Sequence, residues 1–220
     1  MSSLLSLNGS PRGKSANSAI LLARIGEGWE AEGGSSEMLH LARHDDFERA
    51  VAAFGEADTV VLAMPLYTDA MPGLVKEYIE ALEPYVGREG NPRIAFVVQS
   101  GFSEALHSRY LERYLVKLAG RLGCEYAGTL VKGGGEAIRL MPVSANRTLF
   151  ERARALGRSL ALDGRFDAGV VSRIAGTERL AAPVAALAGL AVRLPVMQSY
   201  WDGQLKRNGA FGRRFARPYA

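Results

Sequence analysis

Apolar runs alternate with helical patterns five times along the first three-quarters of the chain. The short apolar runs predict five strands, at about residues 3–7, 37–41, 59–64, 94–98 and 125–131. The third and fourth runs are apolar with almost no alternation, which is typical of strands covered on both faces of a sheet. The second run alternates polar and apolar residues and therefore predicts an edge strand.

The segments between these strands carry apolar residues three or four positions apart, the spacing of one helical face. The predicted helices lie at about 17–31, around 47–54, from about 72 to 82, at about 105–122 and at about 145–162. Pro72 suits the first turn of the third helix, and Gly123 suits the end of the fourth.

Strands that alternate with helices predict an α/β fold, with a parallel sheet, right-handed crossovers and helices on both faces. The strand order we expect is 2-1-3-4-5, because a polar loop with the composition of a phosphate-binding loop follows the first strand. This order places the switch point between strands 1 and 3, where ligands bind beyond the carboxyl ends of the strands. The loops after strands 1, 3, 4 and 5 are therefore the candidate binding elements.

The loop after the first strand, Asn8–Ser18, is rich in small polar residues. Gly9 and Gly13 allow tight turning and close approach of the backbone to a ligand. The helix that follows presents unpaired N–H groups and the positive end of its dipole to this loop. The segment therefore predicts a binding site for an anion such as phosphate.

The loop after the third strand, Pro65–Lys76, places Tyr67 among small residues at the switch point. Its ring could form a wall for a planar ligand, and the loop backbone could bond the polar edge of that ligand. The alternative is a plain helix start, with Asp69 as the cap, Pro72 in the first turn and Tyr67 packed locally.

Two further loops are predicted at the same edge. Gln99–Glu104 contains Gly101 and permits close backbone approach, or else forms an ordinary turn capped by Ser103. His107 is either a donor to a ligand or a solvated histidine. Gly133–Glu136 either lines an entrance for a second ligand or is a flexible connection. Three plausible binding turns at one edge favour the functional interpretation.

Composition narrows the possible chemistry. The chain has 220 residues and a net charge of +4, with only one cysteine and three scattered histidines, so we expect neither a disulfide framework nor a metal cluster. We interpret Cys124 as a buried structural thiol in a protein of a reducing compartment, the cytoplasm, without a signal peptide. Residues 193–220 carry a net +5, so the preceding 192 residues carry −1. This distribution argues against a nucleic-acid partner for the main domain.

The first loop matches neither the dinucleotide fingerprint nor the Walker pattern, and it lacks the cysteine of a phosphatase loop. Three motifs instead resemble the flavodoxin-like NAD(P)H-dependent FMN reductases over residues 1–162. They are Gly-Ser-Pro-Arg-x-x-Ser-x-Asn at 9–17, Pro-Leu-Tyr-x-Asp-x-x-Pro at 65–72 and the turn Gly101–Phe102. The resemblance implies a flavodoxin-like three-layer sandwich.

The resemblance also implies FMN held without a covalent bond, with NAD(P)H as hydride donor. It assigns the phosphate to Ser10, Arg12, Ser15, Asn17 and Ser18, one side of the flavin and its ribityl chain to Pro65, Leu66, Tyr67, Asp69 and Met71, and the other side to Gln99, Ser100, Gly101 and Phe102. No catalytic acid or base is expected. The implied acceptor is a quinone, free flavin or nitroaromatic, and the implied assembly is a homodimer or higher homo-oligomer. An electron carrier or redox sensor without NAD(P)H turnover is the alternative.

The last quarter of the chain is predicted to be an addition to this domain. We expect an FMN-binding domain at 1–164 and a helical, basic extension at 165–220. The apolar stretch Leu180–Met197 contains Pro183, Pro195 and Arg193, so a membrane-spanning helix is not expected. The first interpretation is helical packing on the domain or on a partner subunit. The second is attachment at a membrane surface through the apolar stretch, Trp201, Phe211 and the basic residues.

Overall fold

The computed structural model describes residues 2–191 and 195–217. A parallel sheet forms the centre of the first unit, with the strand order β2-β1-β3-β4-β5. Its strands are β1 (Ser3–Asn8), β2 (Ser35–His40), β3 (Thr59–Pro65), β4 (Arg93–Gln99) and β5 (Tyr126–Lys132). The predicted α/β class and strand order are confirmed, and each strand lies within two residues of its expected bounds.

Helices connect these strands and continue beyond them. They are α1 (Asn17–Glu30), α2 (His44–Phe54), α3 (Gly73–Ala81), α4 (Arg109–Leu122), α5 (Ala137–Leu140), α6 (Arg147–Asp163), α7 (Ala168–Ala175), α8 (Ala182–Ala191) and α9 (Pro195–Arg207). The predicted fourth helix is a 3-10 turn, Ala105–Ser108, followed by α4, which ends at Gly123 with a φ of 76°. The single turn α5 was not predicted, because four residues carry no readable periodicity.

Two apolar cores lie on opposite faces of the sheet, which gives the expected three layers. One core combines strand residues with α2, α3 and α4, and its largest side chains include Phe54, Phe96 and Tyr78. The other combines strand residues with α1, α6 and α7, around Trp29 and Phe150. Since the sheet is covered on both faces, its carboxyl edge is the place where loops from several strands can meet around a ligand.

Helices α1 and α6 pack closely because glycines face the partner backbone at their contact. A Cβ on Gly157 would lie 1.9 Å from the carbonyl oxygen of Ile25, and a Cβ on Gly28 would lie 2.0 Å from that of Arg154. No larger residue fits at either position without moving a helix. This contact holds the first helix, and with it the loop after β1, against the body of the domain.

The contacts of the chain divide it into two units, Met1–Arg179 and Leu180–Ala220. Within the first unit α7 contacts β5, and Phe166 donates its backbone N–H to the carbonyl of Ala127 at 2.8 Å. Residues 165–179 thus pack with the sheet domain, while the boundary predicted at Gly164 stays a prediction. Within the described residues no helix is both long and apolar enough to cross a membrane. Part of the predicted segment Leu180–Met197, namely 192–194, lies outside the described residues.

Candidate functional site

A narrow groove lies at the carboxyl edge of the sheet, where the loops after β1, β3, β4 and β5 meet. Its volume is about 60 Å³. It is lined by Ser10, Arg12, Asn17, Pro65, Leu66, Tyr67, Gln99, Ser100, Gly101 and Glu136. The first nine of these were assigned to a cofactor site from the sequence. The fold therefore brings these nine residues together, although Ser10 and Gly101 are 91 positions apart in the sequence.

The loop after β1 is held in shape by the side chain of Asn8. This fully buried amide donates from Nδ2 to the carbonyl of Gly13 at 2.8 Å, and its Oδ1 accepts from the backbone N–H of Ser10 at 3.2 Å. These two bonds fix which end of the amide carries the nitrogen. Asn8 thus holds the loop in a closed turn between Ser10 and Gly13.

His40, at the end of β2, is a second partner of Asn8. Its Nδ1 lies 2.9 Å from Asn8 Nδ2, which makes that ring nitrogen an acceptor and the imidazole neutral. Burial lowers the pKa of His40 below 6.5; Asp46 opposes this shift, and Lys14 and Arg43 add to it. His40 was not predicted as part of the site. Its role comes from the pairing of β1 with β2, which places Asn8 opposite His40.

The start of α1 presents buried polar side chains without a protein partner. Asn17 is 2% exposed, and neither its Oδ1 nor its Nδ2 has a hydrogen-bond partner within the part of the chain that is described. The hydroxyl of Ser18 is also buried, and it likewise has no hydrogen-bond partner among the described residues. Buried polar groups without partners are costly, so such a pair at a helix start marks a position where a polar ligand would supply the missing bonds.

The loop after β3 is a tight turn with an unusual backbone. Tyr67 and Ala70 exchange both backbone hydrogen bonds, at 2.8 and 3.1 Å, while Thr68 and Asp69 take positive φ values of 49° and 61°. Asp69 therefore does not cap α3, which begins after Pro72 without a side-chain cap. A β-branched residue at positive φ is strained, and such strain concentrates at ligand-binding turns.

The loops after β4 and β5 are joined by backbone hydrogen bonds. Gly134 and Gly135 donate to the carbonyls of Phe102 and Ser100, both at 2.6 Å, and Ser100 donates to the carbonyl of Lys132 at 3.0 Å. A Cβ on Gly135 would lie 2.3 Å from Gln99 Oε1, so this glycine permits the close approach. Residues 133–136 are thus packed against the loop after β4, and Glu136 lines the groove.

An ion pair crosses from the loop after β1 to the loop after β5. Arg12 contacts Glu136 at 3.0 Å, and Arg139 is a second partner of the same carboxylate at 2.5 Å. Burial would raise the pKa of Glu136, but the hydrogen bonds from Arg139 and Arg12 hold it below its usual range. From the sequence, Glu136 was placed only at a possible entrance for a second ligand, because its contact with Arg12 depends on where the fold positions β1 and β5.

Five predicted site residues lie beside the groove instead of lining it. Ser15 donates its hydroxyl to the carbonyl of Arg12 at 3.0 Å, and Met71 packs against the core on the α3 side of the sheet. Phe102 is half exposed and stacks on His107 with ring centroids 4.3 Å apart. The other two are Ser18 and Asp69, described above. The assignment of these five to a cofactor stays a prediction.

Comparison with known proteins places this architecture in a family. The model of the family described as having a flavodoxin-like fold matches residues 2–137, more than half of the chain. The chain belongs to this flavodoxin-like family. The predicted flavodoxin-like sandwich is therefore confirmed. No curated protein matches the sequence significantly.

Solved structures with similar folds include three reductases. An FMN-dependent NADH-azoreductase from Bacillus anthracis in complex with FMN has a TM-score of 0.55 and 16% identity, over 73% of this chain and 100% of the other. An NAD(P)H:quinone oxidoreductase from Methanothermobacter marburgensis has a TM-score of 0.55 and 18% identity, over 73% of this chain and 96% of the other. The apo form of an NADH:FMN oxidoreductase has a TM-score of 0.56 and 14% identity, over 84% of this chain and 99% of the other. At these identities the likeness concerns the fold.

Proposed function

We propose that this flavodoxin-like protein is an FMN-dependent NAD(P)H oxidoreductase that reduces a small acceptor such as a quinone, a flavin or a nitroaromatic. The observation that carries the proposal is the amide of Asn17 at the start of α1, which is buried on the wall of the groove and has no hydrogen-bond partner among the described residues. At the start of α1 this amide offers hydrogen bonds where the helix dipole favours an anion.

The residues of the β1 loop fit the phosphate of FMN. Ser10 and Asn17 provide polar side chains on the groove wall, and Arg12 provides a positive charge. Asn8 shapes the loop by its bonds to Gly13 and Ser10, so the loop is organised before a ligand arrives. An ordered loop loses less conformational entropy on binding, which favours tight retention of the cofactor.

The remaining walls fit a flat ring. Leu66 and Tyr67 form one side, and Gln99, Ser100 and Gly101 form the other; the two sides are joined by the N–H of Leu66, which donates to the carbonyl of Gln99 at 2.8 Å. Gly101 has open space at its Cβ position, so its backbone is accessible to a ligand. When bound, FMN would supply the hydride-accepting redox chemistry, while these residues orient it and restrict access of water.

The similar structures support the same assignment. Among them are an azoreductase whose structure was solved with FMN and a quinone oxidoreductase that uses NAD(P)H. Their shared fold with this chain, together with the groove at its carboxyl edge, supports FMN as cofactor and a nicotinamide as donor. The preference between NADH and NADPH and the homo-oligomeric state stay predictions.

We expect the groove to widen when FMN binds. Its volume of about 60 Å³ is below the roughly 300–1,000 Å³ of small-molecule sites. The ion pair of Arg12 with Glu136 crosses this region and is one contact that would have to yield. Because both side chains are partly exposed, the pair costs little to separate. Arg12 would then be free to contact the phosphate.

FMN titration with two variants of opposite effect tests the proposal. Ser10→Asp places a negative charge beside the phosphate, and a unit charge pair at 4 Å is worth about 4 kcal/mol near a protein surface, so we expect binding at least about 100-fold weaker. Glu136→Gln removes the competitor for Arg12, and we expect binding about two- to fivefold tighter. Quenching of flavin fluorescence measures both.

Matched controls lie at the other edge of the sheet. Ser35→Asp, at the start of β2, and Glu89→Gln, before β4, make the same chemical changes at exposed positions. Neither should alter FMN affinity by more than about twofold, because charges separated by more than a Debye length are screened. If Ser10→Asp binds FMN as tightly as the natural protein does, the phosphate is not held by this loop.

A further inference from the structure

The C-terminal unit contains a helix whose surface is apolar on every side and exposed to solvent. Helix α8 has the sequence Ala-Pro-Val-Ala-Ala-Leu-Ala-Gly-Leu-Ala and no buried residue. Its large side chains Val184, Leu187 and Leu190 are 50%, 68% and 62% exposed. They are spaced three residues apart, so they share one face of the helix.

Such a helix requires a partner. Helices that are apolar on all sides occur where every side is removed from water, and contiguous exposed apolar patches mark interaction sites. At ten residues α8 is too short to cross a bilayer, while apolar stretches of this length occur as core helices or as segments within a membrane interface. Length alone therefore leaves the nature of the partner open.

The charge of the same unit selects an anionic partner. Residues 180–220 contain six Lys or Arg and one acid, for a net +5. Lys206, Arg207, Arg213, Arg214 and Arg217 are all exposed. Packing this unit against a second copy of itself would bring two such charges together, whereas an anionic surface would neutralise them.

Aromatic rings accompany these charges. Arg214 lies over the rings of Phe211 and Phe215, at 4.0 and 4.8 Å from their centroids, and Lys206 lies 4.9 Å from that of Phe211. Phe215 is 82% exposed and Trp201 is 67% exposed. Exposed aromatic rings among basic residues are typical of segments that lie at the headgroup level of a membrane.

From these observations we infer that helix α8 and residues 201–217 form an interfacial attachment element for an anionic lipid surface. Helix α8 enters the boundary between headgroups and acyl chains, while the basic and aromatic segment 201–217 contacts the anionic headgroups. Burial of apolar side chains and attraction of basic residues each contribute, so neither alone accounts for full affinity. Nucleic acid would satisfy the charges, but it would leave the apolar helix exposed.

Flotation of the full-length protein with lipid vesicles tests this inference. We expect binding to vesicles of phosphatidylcholine mixed with phosphatidylglycerol and at least tenfold weaker binding to phosphatidylcholine alone, because several basic residues each contribute about 1 kcal/mol at an anionic surface. Two substitutions separate the contributions. Leu187→Gln should weaken binding about fivefold, since it removes part of the roughly 1.5–3 kcal/mol of a buried leucine. Arg213→Gln with Arg214→Gln should weaken it about 20-fold or more.

The first unit supplies matched controls. Leu162 is 68% exposed, as Leu187 is. Leu162→Gln, and Lys117→Gln with Arg158→Gln at two exposed positions, should leave vesicle binding within about twofold, because only contacts at the surface contribute.

Three results would overturn the inference. One is equal or negligible flotation with both vesicle types. Another is anionic binding that Arg213→Gln with Arg214→Gln abolishes but Leu187→Gln leaves unchanged, which would indicate adsorption by charge alone. The third is a concentration-dependent dimer that Leu187→Gln dissociates without any vesicle binding, which would assign the helix to a second copy. Flotation needs no flavin, so it is independent of the proposed reductase activity.

Discussion

Asn8 and His40 show how two buried side chains set the geometry of the loop after β1. The amide of Asn8 needs an acceptor at His40 Nδ1, and a protonated imidazole would present a second donor at the same point. The neutral ring is favoured because burial lowers the pKa of His40. The loop is therefore sensitive to acid through a residue outside its own sequence.

This arrangement predicts a pH dependence of stability. As pH falls through 6.5, the unfolded chain binds a proton at His40 before the folded protein does, so the folded state loses stability toward acid. In His40→Gln the amide oxygen replaces the acceptor but does not titrate. We expect the natural protein to lose more stability than this variant between neutral and mildly acidic pH, in urea unfolding at several pH values.

His44→Gln is the matched control, since the side chain of His44 is 85% exposed. Its unfolding free energy should follow that of the natural protein at every pH, because the substitution leaves the contact between Asn8 and His40 in place. A His40→Gln profile parallel to that of the natural protein would mean that His40 does not act as an acceptor for Asn8.

At the level of individual residues, the sequence identifies only part of the site. Asn17 was predicted because it lies in a continuous motif beside Ser10 and Arg12. Glu136 was not assigned, since its contact with Arg12 depends on the positions of β1 and β5 in three dimensions. The positive φ at Thr68 was equally hidden, because threonine does not favour that conformation.

At the element scale, the contact between α1 and α6 supports the start of α1 from behind. Gly157 and Gly28 allow the two backbones to touch, and no periodicity in the sequence marks these glycines as contact residues. Strands β3 and β4 were predictable because buried parallel strands are almost uniformly apolar. Close helix contacts depend on which helices become neighbours, and that follows from the complete fold.

The glycine contact gives a prediction about stability. Gly157→Ala should lower the free energy of unfolding by about 3 kcal/mol, because its Cβ would overlap the carbonyl of Ile25 and force the helices apart. Gly120→Ala, in α4 with no neighbour near its Cβ position, should instead raise it by about 0.5–1 kcal/mol through helix propensity. Urea unfolding measures both. If Gly157→Ala and Gly120→Ala change the free energy of unfolding by the same amount, α1 and α6 are not in close contact.

At the scale of the whole molecule, the chain combines a flavodoxin-like unit with a short basic unit. The alternation of strands and helices identifies the first unit and its strand order from the sequence. The sequence did not predict that α7, which follows Gly164, packs on β5. That packing is a tertiary contact, and the composition of residues 165–179 does not distinguish it from a linker.

The function proposed for the first unit requires both a cofactor and a donor. Under the proposed function, FMN would bind in the groove formed by the loops after β1, β3, β4 and β5, and a nicotinamide would follow it into the same site. An electron carrier would use the same groove for FMN, but it would not accept hydride from NAD(P)H. The reductase and the electron carrier therefore differ in one reaction, the transfer of hydride from NAD(P)H to the bound FMN.

Anaerobic stopped-flow mixing of the FMN-loaded protein with NADPH, and separately with NADH, measures that reaction. We expect at least one nicotinamide to bleach the visible band of the bound flavin rapidly, and much faster than it bleaches free FMN, because the protein orients donor and acceptor. If bound FMN keeps its visible band at saturating concentrations of both nicotinamides, the protein is not an NAD(P)H oxidoreductase.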